Sequence, residues 1–256
     1  MELSIKNKTI VISGGTSGVG REMVVVCTKE GANVVFGGRN KNAAKDILNT
    51  VKNNSGKAIF VNTDISKVSD CKKLFSEAIK HFGVINGFIN YAGITPVSPI
   101  DDCSEEIFND VMNINFRAAF FCCQEAIIHM KKSGGGSIIL IGSPHAWSGD
   151  KDRAAYACSK GALLTLMNHI AHNYGDQNIR CNYLVMGWTL TEGEIKLRKT
   201  QFVDVEKYFK EAANLIPMKR LCTPDDYIEQ IVYLLSDASS MMSGSILHMS
   251  AGYFLN

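Results

Sequence analysis

The sequence predicts an α/β protein whose central sheet is parallel and covered by helices on both faces. Short apolar segments rich in β-branched residues alternate along the chain with longer segments of helical periodicity. These short segments are apolar throughout, which is typical of strands that are buried on both faces. A chain of 256 residues is long enough to form one large core, so we expect a single domain over residues 1–256.

In the first part of the chain, short apolar runs end at glycine or polar residues and are followed by amphipathic segments. This pattern predicts strand–helix units, because strands in a parallel sheet need crossover connections. The predicted strands are Thr9–Ser13, Asn33–Phe36, Ala58–Asn62 and Gly87–Asn90, and the predicted helices run from the first glycine turn to about Glu30, over Lys41–Asn53 and over Val68–Phe82.

The second part of the chain begins with a long helix from Ser104 to about Lys132. Glu105 and Glu106 place negative charge in its first turn, where it stabilises the helix dipole, and three glycines end the helix. The segment 187–217 is charged and irregular, and we expect it to be partly helical and to contact substrate. The remaining predicted elements are strands Ser137–Ile141, Ile179–Val185 and Ser245–Met249 and helices Ala154–Tyr174 and Pro224–Ser236.

The composition argues against several classes of protein. The formal net charge is only +2, which argues against a nucleic-acid partner or a membrane-surface partner. Apolar runs fall short of the roughly 20 residues that cross a bilayer, and Met1–Lys8 lacks the apolar stretch of a signal peptide. The eight cysteines are scattered without CxxC spacing, which favours reduced thiols in a cytoplasmic protein and argues against a metal site.

A glycine-rich turn follows the first predicted strand and leads directly into a helix. Such a turn lets backbone N–H groups approach a pyrophosphate at a helix N-terminus. Its spacing is Gly-x-x-x-Gly-x-Gly rather than the commoner Gly-x-Gly-x-x-Gly, and a glycine turn without a ligand is the alternative. The candidate cofactor-binding residues in the turn are Gly14, Thr16, Ser17, Gly18, Val19 and Gly20.

The residues that end the second, third and fourth strands bear on the choice of cofactor. An acidic residue after strand two would bind a ribose 2′-hydroxyl, but the sequence there is Gly38-Arg39-Asn40, so Arg39 is placed to bind the 2′-phosphate of NADP(H). A solvated surface arginine is the alternative. Asp64, with Ile65 after it, could accept a hydrogen bond from adenine or cap the next helix. Small residues permit close approach of a cofactor in Asn90-Tyr91-Ala92-Gly93, although this could be an ordinary turn.

Tyr156 and Lys160 are four residues apart on a predicted helix and therefore share one face. A cation there lowers the pKa of a neighbouring phenol. Ser143, at the end of a preceding strand, could hold a carbonyl against that phenol. This arrangement predicts proton transfer for an alcohol/ketone pair, whereas each residue alone could be a packed aromatic or a solvated lysine.

In order and spacing, these motifs resemble the short-chain dehydrogenase/reductase family over essentially the whole chain. The matching residues are Gly14-x-x-x-Gly18-x-Gly20, Asp64, Asn90-x-Ala92-Gly93, Asn115, Ser143, Tyr156-x-x-x-Lys160, Arg180-x-Asn182 and the segment from Gly244 to Gly252. The resemblance implies a Rossmann-type, doubly wound parallel sheet of about seven strands.

The resemblance also implies a role for each matching residue. Tyr156 is expected to be the general acid/base, and Ser143 is expected to orient the substrate oxygen. Lys160 is expected to hold the nicotinamide ribose and to lower the pKa of the phenol. Asn115 is expected to support a water that links Lys160 to solvent. Further cofactor contacts are expected from Gly187, Thr189 and Thr191. The chain departs from the family pattern at Tyr91, at Met186-Gly187 and at Ser250-Ala251-Gly252.

Aromatic and apolar residues flank the predicted catalytic residues. Together with Ser143 and Tyr156, we expect His145, Trp147 and Trp188 to bind the substrate. Such a lining favours a hydrophobic secondary alcohol or ketone, as in a hydroxysteroid dehydrogenase. The alternatives are side chains that only pack a lid, a 3-oxoacyl thioester reductase, a sugar dehydrogenase, and an NADP-binding regulator without catalysis.

The two long helices, Ser104–Lys132 and Ala154–Tyr174, carry more small and apolar residues than one sheet face can cover. The resemblance implies that such helices pair across two-fold axes. We therefore expect a homotetramer or a homodimer, with packing onto the sheet alone as the alternative.

Overall fold

The computed structural model describes residues 3–147 and 149–253. Within them, a single sheet holds seven strands, which are all parallel and follow the order β3-β2-β1-β4-β5-β6-β7. The strands are β1 (Thr9–Ser13), β2 (Asn33–Gly38), β3 (Ala58–Asn62), β4 (Gly87–Asn90), β5 (Gly136–Gly142), β6 (Ile179–Met186) and β7 (Ile246–Met249). This confirms the predicted fold class and each predicted strand to within two residues at either end.

Helices connect consecutive strands and lie on both faces of the sheet. They are α1 (Gly18–Lys29), α2 (Lys41–Thr50), α3 (Val68–Phe82), α4 (Glu105–Val111), α5 (Ala118–Met130), α6 (Ala154–Asn173), α7 (Glu192–Gln201), α8 (Val205–Leu215) and α9 (Ile228–Leu235). Side chains of α3, α5 and α6 pack on one face of the sheet, and those of α1, α2 and α9 pack on the other. The strands are apolar throughout because alternate residues enter these two cores.

The helix predicted from Ser104 to Lys132 is interrupted by a wider, π-helical segment at Met112–Arg117. Asn115 lies in this segment, fully buried, and its side-chain amide bonds outside the helix to the main chain of Ile94. π-Helical turns of this kind occur often at functional sites. The local sequence has strong helical periodicity, which is why the interruption was not predicted.

The segment 187–217 contains the two helices α7 and α8, in agreement with the expectation of partial helix. The side chain of Thr191 caps α7, and that of Asp204 caps α8. Within the described residues, we find no helix that is long and apolar enough to cross a membrane.

The centre of the sheet is also where its winding direction reverses, because β1 lies between β2 and β4. Ligands of open α/β sheets bind beyond the carboxyl ends of the strands at such a point. The glycine turn after β1 and the loop after β4 both lie at this edge. The loop at 143–153 after β5 and the segment at 187–217 after β6 share the same edge.

Candidate active site

Ser143 and Tyr156 lie together at the carboxyl edge of the sheet. Ser143 directly follows β5, is buried, and caps a short turn by accepting a hydrogen bond from the His145 N–H at 3.3 Å. Its hydroxyl lies close enough to the Tyr156 phenol to affect the pKa of that phenol. Burial raises the pKa of Tyr156, whereas the Ser143 hydroxyl and the charge of Arg153 lower it. The two predicted hydroxyls therefore lie next to each other in the site.

Lys160 is buried one helical turn beyond Tyr156, and its ammonium group lies 5.5 Å from the centroid of the Tyr156 ring. Its Nζ donates to the Ile141 carbonyl at 2.8 Å. Burial lowers the pKa of Lys160 from 10.5 to about 8. The structure therefore places a desolvated cation beside the phenol.

Asn115 bonds to the helix α6, which carries Tyr156 and Lys160. Its side-chain Nδ2 donates to the Ser159 hydroxyl at 3.0 Å, and that hydroxyl donates to the Tyr156 carbonyl at 2.7 Å. These bonds and the two bonds to Ile94 occupy the amide. The water link between Asn115 and Lys160 stays a prediction.

The glycine turn is held tightly against the loop that follows β4. Gly14 has φ +75°, and a Cβ there would lie 2.8 Å from Ala92 Cα. A Cβ on Gly20 would lie 2.3 Å from the Gly14 carbonyl oxygen, so only glycine fits. Ser17 is the N-cap of α1, but its side chain makes no capping bond, and Val19 follows in the first turn of the helix. This turn therefore presents backbone at the helix N-terminus, which suits a phosphate group.

The residues predicted to select the cofactor lie at the ends of β2 and β3. Thr16 packs on Gly38, because a Cβ on Gly38 would lie 2.5 Å from the Thr16 hydroxyl. Arg39 is exposed, and the Asn40 side chain caps α2 by accepting from the Ala43 N–H at 3.0 Å. The Asp64 carboxylate accepts from the Ser66 hydroxyl at 2.7 Å, which lowers its pKa, while Ile65 packs against the core. Asn40 and Asp64 thus have local roles in addition to those predicted.

The predicted residues after β4 and β6 also have structural partners. Asn90 accepts a hydrogen bond from Ser13 at 3.0 Å and so joins β4 to β1. Gly93 faces Asn115, and Gly187 packs against Ser250. The Thr189 hydroxyl donates to the Gly187 carbonyl at 2.9 Å. Thr191 caps α7, and its side chain approaches Gly18 across the edge of the sheet.

A cavity of about 530 Å³ opens above Ser143, Tyr156 and Lys160. His145 and Trp188 line it, as do Gly93, Gly187, Thr189 and Thr191, so these predicted contacts meet in one place. Trp147 does not belong to the lining. Its ring packs instead on His248 at 5.2 Å and on Tyr183 at 6.2 Å. Trp147 follows the short helical turn at Pro144–Ala146, and its role as a substrate contact stays a prediction.

Residues 14–254 match a family model described as enoyl-(acyl carrier protein) reductase, a model of short-chain dehydrogenases/reductases. The chain belongs to the short-chain dehydrogenase/reductase family. It is therefore an oxidoreductase with the family's nicotinamide cofactor and CH–OH chemistry.

Three similar proteins cover nearly the whole chain. L-rhamnose 1-dehydrogenase (NAD(P)(+)) from Azotobacter vinelandii is 31% identical, with 98% of each chain covered. 3β-Hydroxysteroid dehydrogenase from Mediterraneibacter gnavus is 29% identical, with 96% of this chain and 94% of the relative covered. A solved structure of a candidate NAD(P)-dependent gluconate 5-dehydrogenase from Beutenbergia cavernae, with NADP bound at low occupancy, is 28% identical, with a TM-score of 0.88 and 98% of each chain covered.

Three further residues of this site make contacts that sequence reasoning did not assign to them. Tyr183 on β6 donates to the Lys160 carbonyl at 3.0 Å, and Tyr91 places its hydroxyl beside Gly18 and Val19 in the glycine turn. Arg153 lies beside Tyr156 and lines the cavity. A tyrosine in a buried strand and a tyrosine where the family has asparagine were the available signals for the first two.

The backbone of Arg153 is fixed by the loop after β4. Ser98 donates its N–H to the Asp152 carbonyl at 2.9 Å and accepts from the Ala154 N–H at 2.9 Å. This parallel bridge joins the loop at 94–99 to the first turn of α6. The helix that carries Tyr156 and Lys160 thus begins at a fixed point.

We find no group of three or more His, Cys, Asp or Glu side chains that could hold a metal ion within the described residues. The residues of the glycine turn, by contrast, fit a nicotinamide dinucleotide. Space for a side chain is missing at Gly14 and Gly20, and the turn can approach a pyrophosphate closely.

Proposed function

We propose that this protein is an NADP(H)-dependent oxidoreductase that interconverts a secondary alcohol and a ketone. The observation that carries the proposal is the adjacent hydroxyls of Ser143 and Tyr156 in the lining of the cavity, with the buried Lys160 ammonium beside them. A regulator that only binds NADP would have no use for this set. The buried lysine costs stability, which is consistent with retention for catalysis.

The residues of the chain divide the chemistry among them. The nicotinamide, when bound, supplies or accepts the hydride. In ketone reduction, the Tyr156 phenol donates a proton to the oxygen of the substrate, and Ser143 holds that oxygen against the phenol. In alcohol oxidation, Tyr156 must accept the proton as phenolate. Lys160 and Arg153 stabilise that anion, because nearby cations favour the charged form.

Replacing Tyr156 by phenylalanine tests the proposal, since it removes the proton and keeps the ring. We expect kcat to fall by at least about 10²- to 10⁴-fold, the usual effect of losing a general acid/base. NADPH binding, measured by titration of protein fluorescence, should persist. Tyr233→Phe, on the opposite face of the sheet, is a matched control that should retain activity. Near-normal turnover of Tyr156→Phe would refute the assignment.

The preference for NADP(H) is supported by the end of β2. The sequence Gly38-Arg39-Asn40 has no acid that would repel a 2′-phosphate, and the exposed Arg39 guanidinium can form charge-assisted bonds. Its charge acts on the nearby Asp64. Thr16, Ser17 and Asn40 would flank the same phosphate.

Arg39→Leu tests this preference more cleanly than an acid at Gly38, because a side chain on Gly38 would also displace Thr16. We expect the KM for NADP+ to rise by about 10- to 100-fold, the cost of a lost bond to a charged group. The KM for NAD+ should change little, and Lys45→Leu on the exposed face of α2 should leave both unchanged. A preference of the unmodified protein for NAD+ would contradict the proposal.

The similar proteins differ in the substrates that their names give, which include a hydroxysteroid and rhamnose. Sequence reasoning favoured a hydroxysteroid because of aromatic residues near the site. Of these, Trp188 lines the cavity and Trp147 does not. Charged side chains of the segment 187–217 also line the cavity, which supports the polar alternative, a sugar dehydrogenase.

A further inference from the structure

One wall of the cavity is built from the loop between β5 and α6 and carries three charged side chains. Asp150 lies beside His145, with Oδ2 at 3.7 Å from Nε2, and burial lowers the pKa of that histidine. Asp152 pairs with Arg153, whose Nη1 donates to its carboxylate at 3.0 Å. Within the described residues, every hydrogen bond of the Arg153 side chain comes from Nη1, so its other nitrogens remain for a ligand.

The opposite wall belongs to α7 and α8 and is charged as well. Glu194 accepts from Trp188 Nε1 at 3.0 Å and from Arg198 Nε at 2.8 Å. The Arg198 guanidinium lies over the rings of Trp188 and Tyr208, at 5.7 and 5.4 Å from their centroids. The side chains of Glu194 and Arg198 are only 18% and 17% exposed, so this pair is part of the wall.

The two walls face each other across one opening. The charge of Arg153 acts on Tyr208 as well as on Tyr156, and the charge of Asp150 acts on Tyr253. The lining therefore holds three carboxylates (Asp150, Asp152 and Glu194) and three cations (Arg153, Lys160 and Arg198). The charges balance, so an ionic substrate gains no net attraction from them.

A rigid hydrocarbon skeleton fits these walls poorly. Covering paired carboxylates and guanidinium groups with hydrocarbon removes their solvation without replacing their hydrogen bonds. Hydroxyl groups, by contrast, both donate and accept, so they can bond to carboxylate oxygens and to guanidinium N–H groups alike. The aromatic faces of Tyr208 and Trp188 suit the C–H face of a ring.

The size of the cavity points in the same direction. Its volume of about 530 Å³ extends from Tyr91 and Gly93, beside the glycine turn, to Tyr208 and Tyr253. That space has to hold the nicotinamide end of the cofactor together with the substrate. A single sugar ring fits beside a nicotinamide more readily than a four-ring skeleton.

We propose that the substrate is an uncharged, polyhydroxylated molecule of about one sugar ring. Its reacting carbon lies at Ser143 and Tyr156, and its other hydroxyls bond to Asp150, Asp152 and Arg153 on one wall and to Glu194 on the other. The inference rests on the proposed alcohol oxidation, in which the C–H hydrogen leaves as hydride to NADP+ and the O–H proton passes to Tyr156. It names the substrate class of the same site.

The first test is NADP+ reduction by the purified protein with a panel of alcohols. The panel contains neutral hexoses, 6-deoxyhexoses and pentoses, D-gluconate as an anion, a 3β-hydroxysteroid, and cyclohexanol. We expect the highest kcat/KM for a neutral sugar, on the order of 10²-fold or more above the steroid and cyclohexanol. The steroid and cyclohexanol have lower values because they leave polar groups of the cavity without hydrogen-bond partners.

Each other result of the panel has a definite meaning. A higher kcat/KM for the steroid or for cyclohexanol overturns the sugar inference and leaves the proposed function standing. A higher value for gluconate shows recognition of an anion and also overturns the inference. Failure of every alcohol, with NADPH still bound, overturns the inference and the proposed function together.

The second test removes two carboxylates from the wall. In Asp150→Ala/Asp152→Ala, we expect the ratio of kcat/KM for the best sugar to that for cyclohexanol to fall by about 10- to 100-fold. The matched control is Asp101→Ala/Asp102→Ala, an exposed acid pair outside the cavity lining, which should keep the ratio. If the sugar-to-cyclohexanol ratio is unchanged in Asp150→Ala/Asp152→Ala, the two aspartates do not bind the hydroxyls of the sugar. The single variant Asp152→Ala serves if the double variant fails to bind NADPH.

Discussion

Lys160 is a charged residue held inside the protein, where it bonds to the carbonyl of Ile141 and lies beside the ring of Tyr156. Removing an ammonium group from water is unfavourable, and this lowers the pKa of Lys160 from 10.5 to about 8. At about 1.36 kcal/mol per pKa unit, the shift corresponds to about 3 kcal/mol of lost stability. The proposed proton transfer requires the Lys160 cation beside Tyr156, and the protein therefore carries this loss of stability.

Lys160→Met should therefore stabilise the protein while it lowers turnover. Below pH 8 the lysine is protonated in the folded and unfolded chains, and the full penalty of burial is present. As pH rises from about 8 to 10.5, the folded protein loses the proton first, so the penalty disappears. We expect the variant to gain up to about 3 kcal/mol in the free energy of unfolding at pH 7.

Urea unfolding of both proteins at pH 7 and pH 10 measures this prediction. The advantage of Lys160→Met should shrink at the higher pH, because the unmodified protein gains stability there. An advantage that grows with pH would show that the folded pKa of Lys160 is raised, contrary to the burial argument.

At the scale of elements, the turn between β1 and α1 is the most constrained part of the site. Gly20→Ala should weaken NADPH binding by more than about tenfold and lower the free energy of unfolding by about 1–3 kcal/mol, because the added methyl overlaps the Gly14 carbonyl oxygen. Fluorescence titration and urea unfolding measure the two effects. Gly175→Ala, where a Cβ meets nothing within 4 Å, is the control and should change neither by more than about 0.5 kcal/mol. Equal behaviour of the two variants would contradict the steric argument.

The elements also show how far sequence reasoning reached. Strands β1–β7 were predictable because each is a short apolar run between turn residues. The nearness of Ser143 to Tyr156 was predictable because Ser143 ends β5 and Tyr156 lies in the first turn of α6, the next long helix of the chain. The direction of Trp147 was not, because it depends on the short turn after Ser143 and on packing against β7.

Other local features depended on partners far away in the chain. The π-helical segment at Met112–Arg117 carries Asn115, which bonds to Ile94 and Ser159. The charges of Glu194 and Arg198 fit a solvated helix face by sequence alone, yet Trp188 and Tyr208 turn that face into a cavity wall. Tertiary contacts determine these roles, and the periodicity of the sequence gives no information on such contacts.

At the scale of the whole molecule, the exposed apolar residues along α4 and α5 bear on assembly. Phe108, Phe120 and Ile128 are 47%, 44% and 42% exposed in the single chain. Patches of this kind are usually covered by a partner. We predict a homotetramer or homodimer through these helices and α6, and light scattering should give a multiple of the 28.1 kDa chain mass.

Phe120→Glu should shift this assembly toward the monomer, because a charge in an apolar interface has to be desolvated. Leu215→Glu, at an exposed apolar position on α8, is the control and should leave the mass unchanged. A monomer mass for the unmodified protein would contradict the prediction.

The backbone hydrogen bonds of Ser98 with Asp152 and Ala154 join the loop after β4 to the start of α6. The loop at 94–99 begins at Ile94, whose main chain bonds to Asn115, and its Ser98 bonds to the start of α6. We predict that a ligand that displaces this loop also shifts the start of the helix that carries Tyr156. Binding of NADPH at the glycine turn and the position of Tyr156 should therefore depend on each other. We expect hydrogen exchange of the Ser98 and Ala154 amides to slow when NADPH binds.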